Sequence, residues 1–385
     1  MELLPLIRSK VFLGQPLPWN VRDREGGLLL RQGQVVETER QLALLLDRGA
    51  TVNVDEARTA AREAIDAAAA LRNRRPHTVS LFDLWSKLGM QLKQAWNSVN
   101  YPSVFGDAIE VIAEELKALS LRDPDIGIYL IIRQDRANHI DYSYDHSIHT
   151  AFSCMLMGRR LEWSNHEVDT IVRAALTMNV SIGELQGRMS SQDFPMLDRQ
   201  ETKIRRHPHE TAALLSAAGI TDEDWLRTVR DHHEHVDGSG YPAGKRTADK
   251  LAQALRLADV FTAKLTPRMI RAPLSPQEAE RHMFAEGKID PVVMTLAMAL
   301  IREFGIYPPG DLVELKSGEI GVVVKRSANT RTPVVAAITD NRGRTVTTTI
   351  RRDTADAQYA ITGTVSNKAL VARLPPERLF GYSVA

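Results

Sequence analysis

Cysteine is nearly absent. Cys154 is the one thiol in 385 residues, so no disulfide can close within the chain and a cystine-stapled scaffold is excluded. The same scarcity fits a reducing, cytoplasmic setting. An excess of one charge sign is missing too. Lys and Arg number 49 against 48 Asp and Glu, a formal net charge of +1, which leaves no broad electrostatic footprint for a nucleic acid polymer or an acidic membrane. The apolar run "VVMTLAMALI" at 292–301 falls well short of the ~18–20 residues that suggest a membrane span. The start, "MELLPLIRSKVFLGQPLPW", lacks the basic end, apolar stretch and small-residue cleavage site of a signal peptide, so none is expected. There is no solenoid-type repeat and no long low-complexity tract. What is present is an ordinary globular composition, 43% apolar and 25% charged, at a length that suggests two or three domains.

Pattern divides the chain into four parts. Residues 1–55 alternate short apolar runs with turn residues, predicting a hairpin around Gly26-Gly27 and then a short helix, "ETERQLALLLDRG", ended by Gly49. This is a small α/β module. Residues 56–78 have high helix propensity and little bulky apolar surface, which suits an exposed connecting helix. A dimerising helix, and with it a homodimer, is the sharper alternative. From 79 to 305 apolar residues recur at three- and four-residue spacing, as in "LFDLWSKLGMQLKQAW" and "DAIEVIAEELKALSL", so the fold class is mainly α. Residues 306–385 switch to the alternation of "LVELKSGEIGVVVKR" and "PVVAAITDNRGRTVTTTI", a small β-rich appendage.

Within the helical region, His146, His207, His232 and His233 fall near expected helix ends. Adjacent helical residues project about 100° apart, so His232 and His233 cannot clamp from one face, but both reach a common ion where a helix stops. Imidazole suits zinc, iron, nickel or manganese and needs a carboxylate or carbonyl behind it to fix its tautomer; Glu234 and Asp237 are the nearby carboxylates. Spacing alone equally allows surface or internally satisfied histidines. His149, His209 and His235 read as ordinary exposed histidines.

"HHEHVDGSGYP" at 232–242, with "DHSIH" at 145–149, "RRHPHETAALL" at 205–215 and "RLADVFTAKLTPR" at 256–268, strongly resembles the HD-GYP family of bacterial phosphohydrolases over about 125–305. The turn that names the family is here Asp237, Gly238, Gly240, Tyr241 and Pro242. The resemblance implies an all-helical core holding two or three metal ions, usually iron or manganese, and hydrolysis of cyclic di-GMP. Two metals about 3.5–4 Å apart polarise the phosphate and supply hydroxide near neutral pH. Carried over, His146 and Asp259 serve a first metal, and His207, His232 and His233 a second. Arg268 and Arg271 stand at family-like spacing, and their guanidinium forks suit phosphate oxygens.

The chain departs from the family where it matters most. In place of the His-Asp pair and its following lysine, "AALTMNVSIGEL" puts Met178, Asn179 and Ile182. Tyr142 stands where some members carry an extra glutamate ligand. A thioether is a poor ligand for harder divalent ions, and a neutral amide cannot screen two adjacent cations. The expectation is therefore at most one divalent ion (iron, manganese or zinc), at His207, His232 and His233, with the His146–Asp259 position depleted. The leading reading is a degenerate HD-GYP protein of cyclic di-GMP signalling, weakly active or inactive as a hydrolase. It would act by binding cyclic di-GMP or a related nucleotide, or a diguanylate-cyclase (GGDEF) domain on the turn surface. An active phosphodiesterase with an atypical site is the alternative, and a phosphohydrolase on another substrate the third.

Overall fold

The computed structural model describes residues 3–6, 11, 13–14, 16–59, 80–133, 141–246, 249–287, 290–365 and 374–381. Most of the helical connection expected over 56–78 lies outside them. The chain forms two compact units, Met1–Thr78 and Val79–Ala385.

In the first unit, β1 (Leu3–Pro5), β2 (Val21–Arg22), β3 (Leu28–Leu30) and β4 (Thr51–Asn53) form one sheet in the order β1-β4-β2-β3. The β2–β3 hairpin turns at Gly26-Gly27. Asp23 Oδ1 accepts from the amides of Glu25 and Gly27, and Gly26 takes a φ of 90° that a side chain would resist. Helix α1 (Glu39–Asp47) starts at a Thr38–Gln41 capping box and buries Leu42 among Val21, Val36 and Val52.

In the second unit the helices are α2 (Leu81–Asn97), α3 (Pro102–Arg122), α4 (Pro124–Ile132), α5 (Tyr142–Arg160), α6 (Asn165–Thr177), α7 (Gly183–Ser190), α8 (Asp198–Ala217), α9 (Glu223–Asp231), α10 (Lys250–Leu265), α11 (Pro276–Gly287), α12 (Pro291–Phe304) and α13 (Pro376–Phe380). Capping boxes open α2 at Ser80–Asp83 and α6 at Ser164–Glu167, satisfying amides that have no partner within the helix. Helix α5 is central: an unbroken run from His146 to Gly158 is buried, with α6, α10 and α12 packed round it. Its sequence accordingly lacks a polar face, and small or hydroxyl residues such as Ala151, Ser147 and Ser153 let neighbouring backbones approach.

Strands β5 (Leu312–Leu315), β6 (Ile320–Lys325), β7 (Val334–Thr339), β8 (Thr345–Asp353) and β9 (Ile361–Thr364) make an antiparallel sheet in the order β8-β7-β6-β5-β9. Strand alternation gives it two apolar faces. Val322, Val324, Ala336 and Ile338 join the helical core, while Val313, Leu315, Val323 and Val335 form a second small cluster. Arg326, just beyond β6, pairs with Asp125 and Glu303 of the helices. The β-rich segment thus belongs to the same compact unit as the helices.

Candidate metal centre

Four elements converge. His146 stands in the second turn of α5, His207 lies inside α8 just before Pro208, His232 and His233 follow the end of α9, and Asp259 is on α10. The side-chain nitrogens of His207, His232 and His233 lie within 4.8 Å of one another, a grouping suited to an ion.

The tautomers are fixed by the backbone. His207 Nδ1 is 2.6 Å from the Ile204 carbonyl and His232 Nδ1 is 2.6 Å from the Val229 carbonyl. A carbonyl only accepts, so each Nδ1 carries the proton and each Nε2 keeps its lone pair. Yet His207 Nε2 and His232 Nε2 face each other at 3.3 Å. Neither neutral ring can donate to the other, and both side chains are buried. A cation between them resolves the conflict. Zinc–nitrogen bonds of ~2.0–2.1 Å at tetrahedral angles set nitrogens about 3.3–3.4 Å apart, so the spacing fits one divalent ion. Burial pushes His207 down to about 3, with the neighbouring His232 adding to it; it holds His233 well below the ordinary imidazole range and lowers His232 as well. All three are neutral, ligand-ready bases at physiological pH.

The carboxylates expected behind these rings are elsewhere. Glu234 is buried but accepts from the amides of Ala243 at 2.7 Å and Lys245 at 2.8 Å, fastening the following loop. Asp237 accepts from the amide and hydroxyl of Ser239. Short local bonds satisfied both more cheaply than a reach to the histidines. His149, expected to be exposed, is buried on the inner face of α5 and has no partner at Nδ1; burial holds it at about 3. His209 and His235 are exposed, as expected.

Asp259 joins the two halves of the cluster. Its Oδ1 is 2.6 Å from His146 Nε2, and its Oδ2 is 4.0 Å from His233 Nε2. Burial alone would raise this carboxyl, but the bond from His146 and the other histidines prevail and hold it well below the usual range. His146 and Asp259 are the two residues that the resemblance assigned to a first metal. No further carboxylate comes in from the α6–α7 turn. Met178 is fully buried in the hydrophobic core, Asn179 is buried with no partner for its Oδ1, and Ile182 is buried at the start of α7. Ser181 bonds Thr211 at 2.7 Å and the His207 carbonyl at 3.4 Å, which lays this turn on α8. The residues here do not fit a second, bridged ion. Glu184 points outward and pairs with Arg188.

Tyr142 and Tyr241 buttress the histidine rings, a role that the sequence reading did not give them. Tyr142 stacks on His146 with ring centroids 5.6 Å apart and planes 6° apart, and its hydroxyl accepts from Arg268 at 2.7 Å. Arg268 therefore stands beside His146 through Tyr142, with its Nε still unpartnered. Arg271 instead donates to the Ala263 carbonyl of α10. Tyr241 stacks on His233 at 4.6 Å, and its amide donates to the His233 carbonyl. Gly240 makes that approach feasible: a Cβ there would lie 2.3 Å from the His235 nitrogen and 2.5 Å from the His233 oxygen. Gly238, at a φ of 82°, turns the chain, and Pro242 follows Tyr241 through a cis bond. The aromatic four positions before His146, one helical turn away, was the signal available for Tyr142; for Tyr241 there was none beyond the motif itself.

Residues 135–293 match the family model described as HD domain. Among curated proteins, the chain is 28% identical over 218 residues to cyclic di-GMP phosphodiesterase PA4108 of Pseudomonas aeruginosa, covering 56% of this chain and 51% of that protein. It is 24% identical over 216 residues to 3'3'-cGAMP-specific phosphodiesterase 1 of Vibrio cholerae, covering 51% and 48% respectively. The chain spans about half the length of the curated relatives it matches. The solved structure of Bd1817, a HDG"Y"P protein from Bdellovibrio bacteriovorus, overlaps 78% of this chain and 98% of that one at 15% identity and a TM-score of 0.46. Among the described residues no helix is long and apolar enough to cross a membrane.

Proposed function

We propose that this chain is a degenerate HD-GYP protein of cyclic dinucleotide signalling, holding one divalent ion on His207, His232 and His233 and binding a cyclic dinucleotide or its linear product with little or no turnover. The observation that carries the reading is the α6–α7 turn, where buried Met178, Asn179 and Ile182 supply no histidine, carboxylate or lysine to the His146–Asp259 pair. When bound, one ion polarises a phosphate oxygen and lowers the pKa of water. His207 and His232 are the ligands with backbone-fixed tautomers, and Tyr241 keeps His233 turned toward them. Arg268, oriented by Tyr142, supplies positive charge to a phosphate beside His146. Without a bridged hydroxide and without a lysine at 182, phosphodiester cleavage loses orders of magnitude in rate.

A second reading, a mononuclear phosphodiesterase, is favoured by the same pair: a histidine oriented by a buried aspartate is an arrangement that moves protons. Metal analysis of anaerobically purified protein with a product assay on cyclic di-GMP separates the two. One ion per chain and no product supports the first reading. Rapid formation of linear or mononucleotide product overturns it. A diguanylate-cyclase domain is the partner proposed for the surface around Asp237 and Ser239, both exposed. Co-purification of the two, lost on Asp237→Arg, is the test. A homodimer is proposed alongside, with light scattering as its measure.

A further inference from the structure

A cavity of about 430 Å³ opens at the seam between the helices and the C-terminal sheet, lined among others by Asp125, Arg160, Arg302, Glu303, Tyr307 and Arg326. It shares no residue with the metal centre. His146 and Arg160 lie some 14 positions apart on α5, so about 21 Å of helix separates the two places. The volume is in the range of small-molecule sites, roughly 300–1,000 Å³.

Its charge is ordered. Arg326 Nε pairs with Asp125, and Arg326 Nη1 bonds both the Glu303 carboxylate, at 3.1 Å, and the Glu303 carbonyl. Arg160 pairs through Nε with the other Glu303 oxygen. These bonds fix two guanidinium planes while leaving both Nη atoms of Arg160 and Nη2 of Arg326 with no acceptor among the described residues. Arg302, exposed at the end of α12, has no carboxylate partner among them either. A network that merely stitched helices to sheet would balance its charges and close up. This one sets three guanidinium groups against two carboxylates around an open space, with a half-buried tyrosine on its wall. Guanidinium edges with fixed planes and unspent donors match the oxygens of a phosphate.

We propose that this cavity is a second ligand site, taking a phosphate monoester of mononucleotide size or smaller. The proposal stands independently of the metal centre. The test is calorimetric titration of the full chain at constant ionic strength with two probes, inorganic phosphate and adenosine 5′-monophosphate. The expected result is saturable binding that falls at least tenfold in Arg302→Gln, a substitution at an exposed and unpaired residue that leaves the thermal transition unchanged. His232→Ala keeps the binding. Tighter binding of the nucleotide than of phosphate supports the esterified phosphate as ligand, and equal or weaker binding of the nucleotide overturns that assignment. No saturable binding of either probe, unchanged affinity in Arg302→Gln, or loss of binding in His232→Ala overturns it.

Discussion

At the scale of residues, the facing lone pairs of His207 and His232 set the expectations. His232→Ala removes one of two fixed donors, and metal affinity should fall about 100-fold or more, read by competition with a chelating dye. Asn179→Asp tests the missing bridge from the other side. It puts an unpaired carboxylate in a buried turn, so the metal-free variant should lose roughly 3 kcal/mol in denaturant unfolding. Manganese should restore the loss if the new carboxylate reaches the cluster, and an unaltered response to metal would sever residue 179 from the centre. The four histidines and Asp259 were legible in the sequence because the turn fixes their identity through motif order. Glu234 and Asp237 were misjudged because sequence distance says nothing about which backbone amides lie nearer than a histidine. His149 was misjudged because α5 is buried on nearly every side, and a helix without a polar face offers no phase from which to read exposure.

At the scale of elements, the turn at 237–242 and α11 make separate predictions. Gly240→Ala forces a methyl into the backbone of His233 and His235, and the turn must move. A cost of about 2–4 kcal/mol in unfolding free energy is expected, together with weaker metal binding as Tyr241 leaves the face of His233. In α11, burial and the nearby charge of Asp311 push Glu280 up to about 8, and its Oε1 has no partner. The folded protein then holds this proton more tightly than the unfolded chain. The stabilisation it brings is complete below the ordinary glutamate range near 4.5 and is lost as pH rises through about 8. Glu280→Gln should flatten that part of the pH profile and exceed the parent by up to ~4 kcal/mol above pH 8, measured by urea unfolding across pH 5–9. Neither effect could be read from the sequence: helical periodicity placed α11 but not the cover over Glu280. The hairpin at Gly26-Gly27 and the capped α1 were readable because their signals are local.

At the scale of the whole molecule, the ion proposed above ties metal to fold. An ion that binds only the folded chain adds RT ln(1 + [L]/Kd), about 2.7 kcal/mol at one hundred times Kd. Chelation should lower the thermal transition of the parent and leave His232→Ala unmoved, a contrast visible by scanning calorimetry. The helical character was legible from periodicity, and so was the change to strands after residue 305. Not legible was that both faces of the new sheet are apolar, one of them toward the helices, since alternation marks two faces without saying what covers either.

That shared core governs how the chain can be divided. A fragment ending at residue 305 keeps every histidine of the cluster and the whole matched HD stretch, yet strips Leu312, Val322, Val324, Ala336 and Ile338 from the wall of its own interior. Such a fragment should be insoluble or loosely packed. The sheet and the helices therefore form one heritable block: a recombination event or an expression design that parts them discards the fold along with the strands.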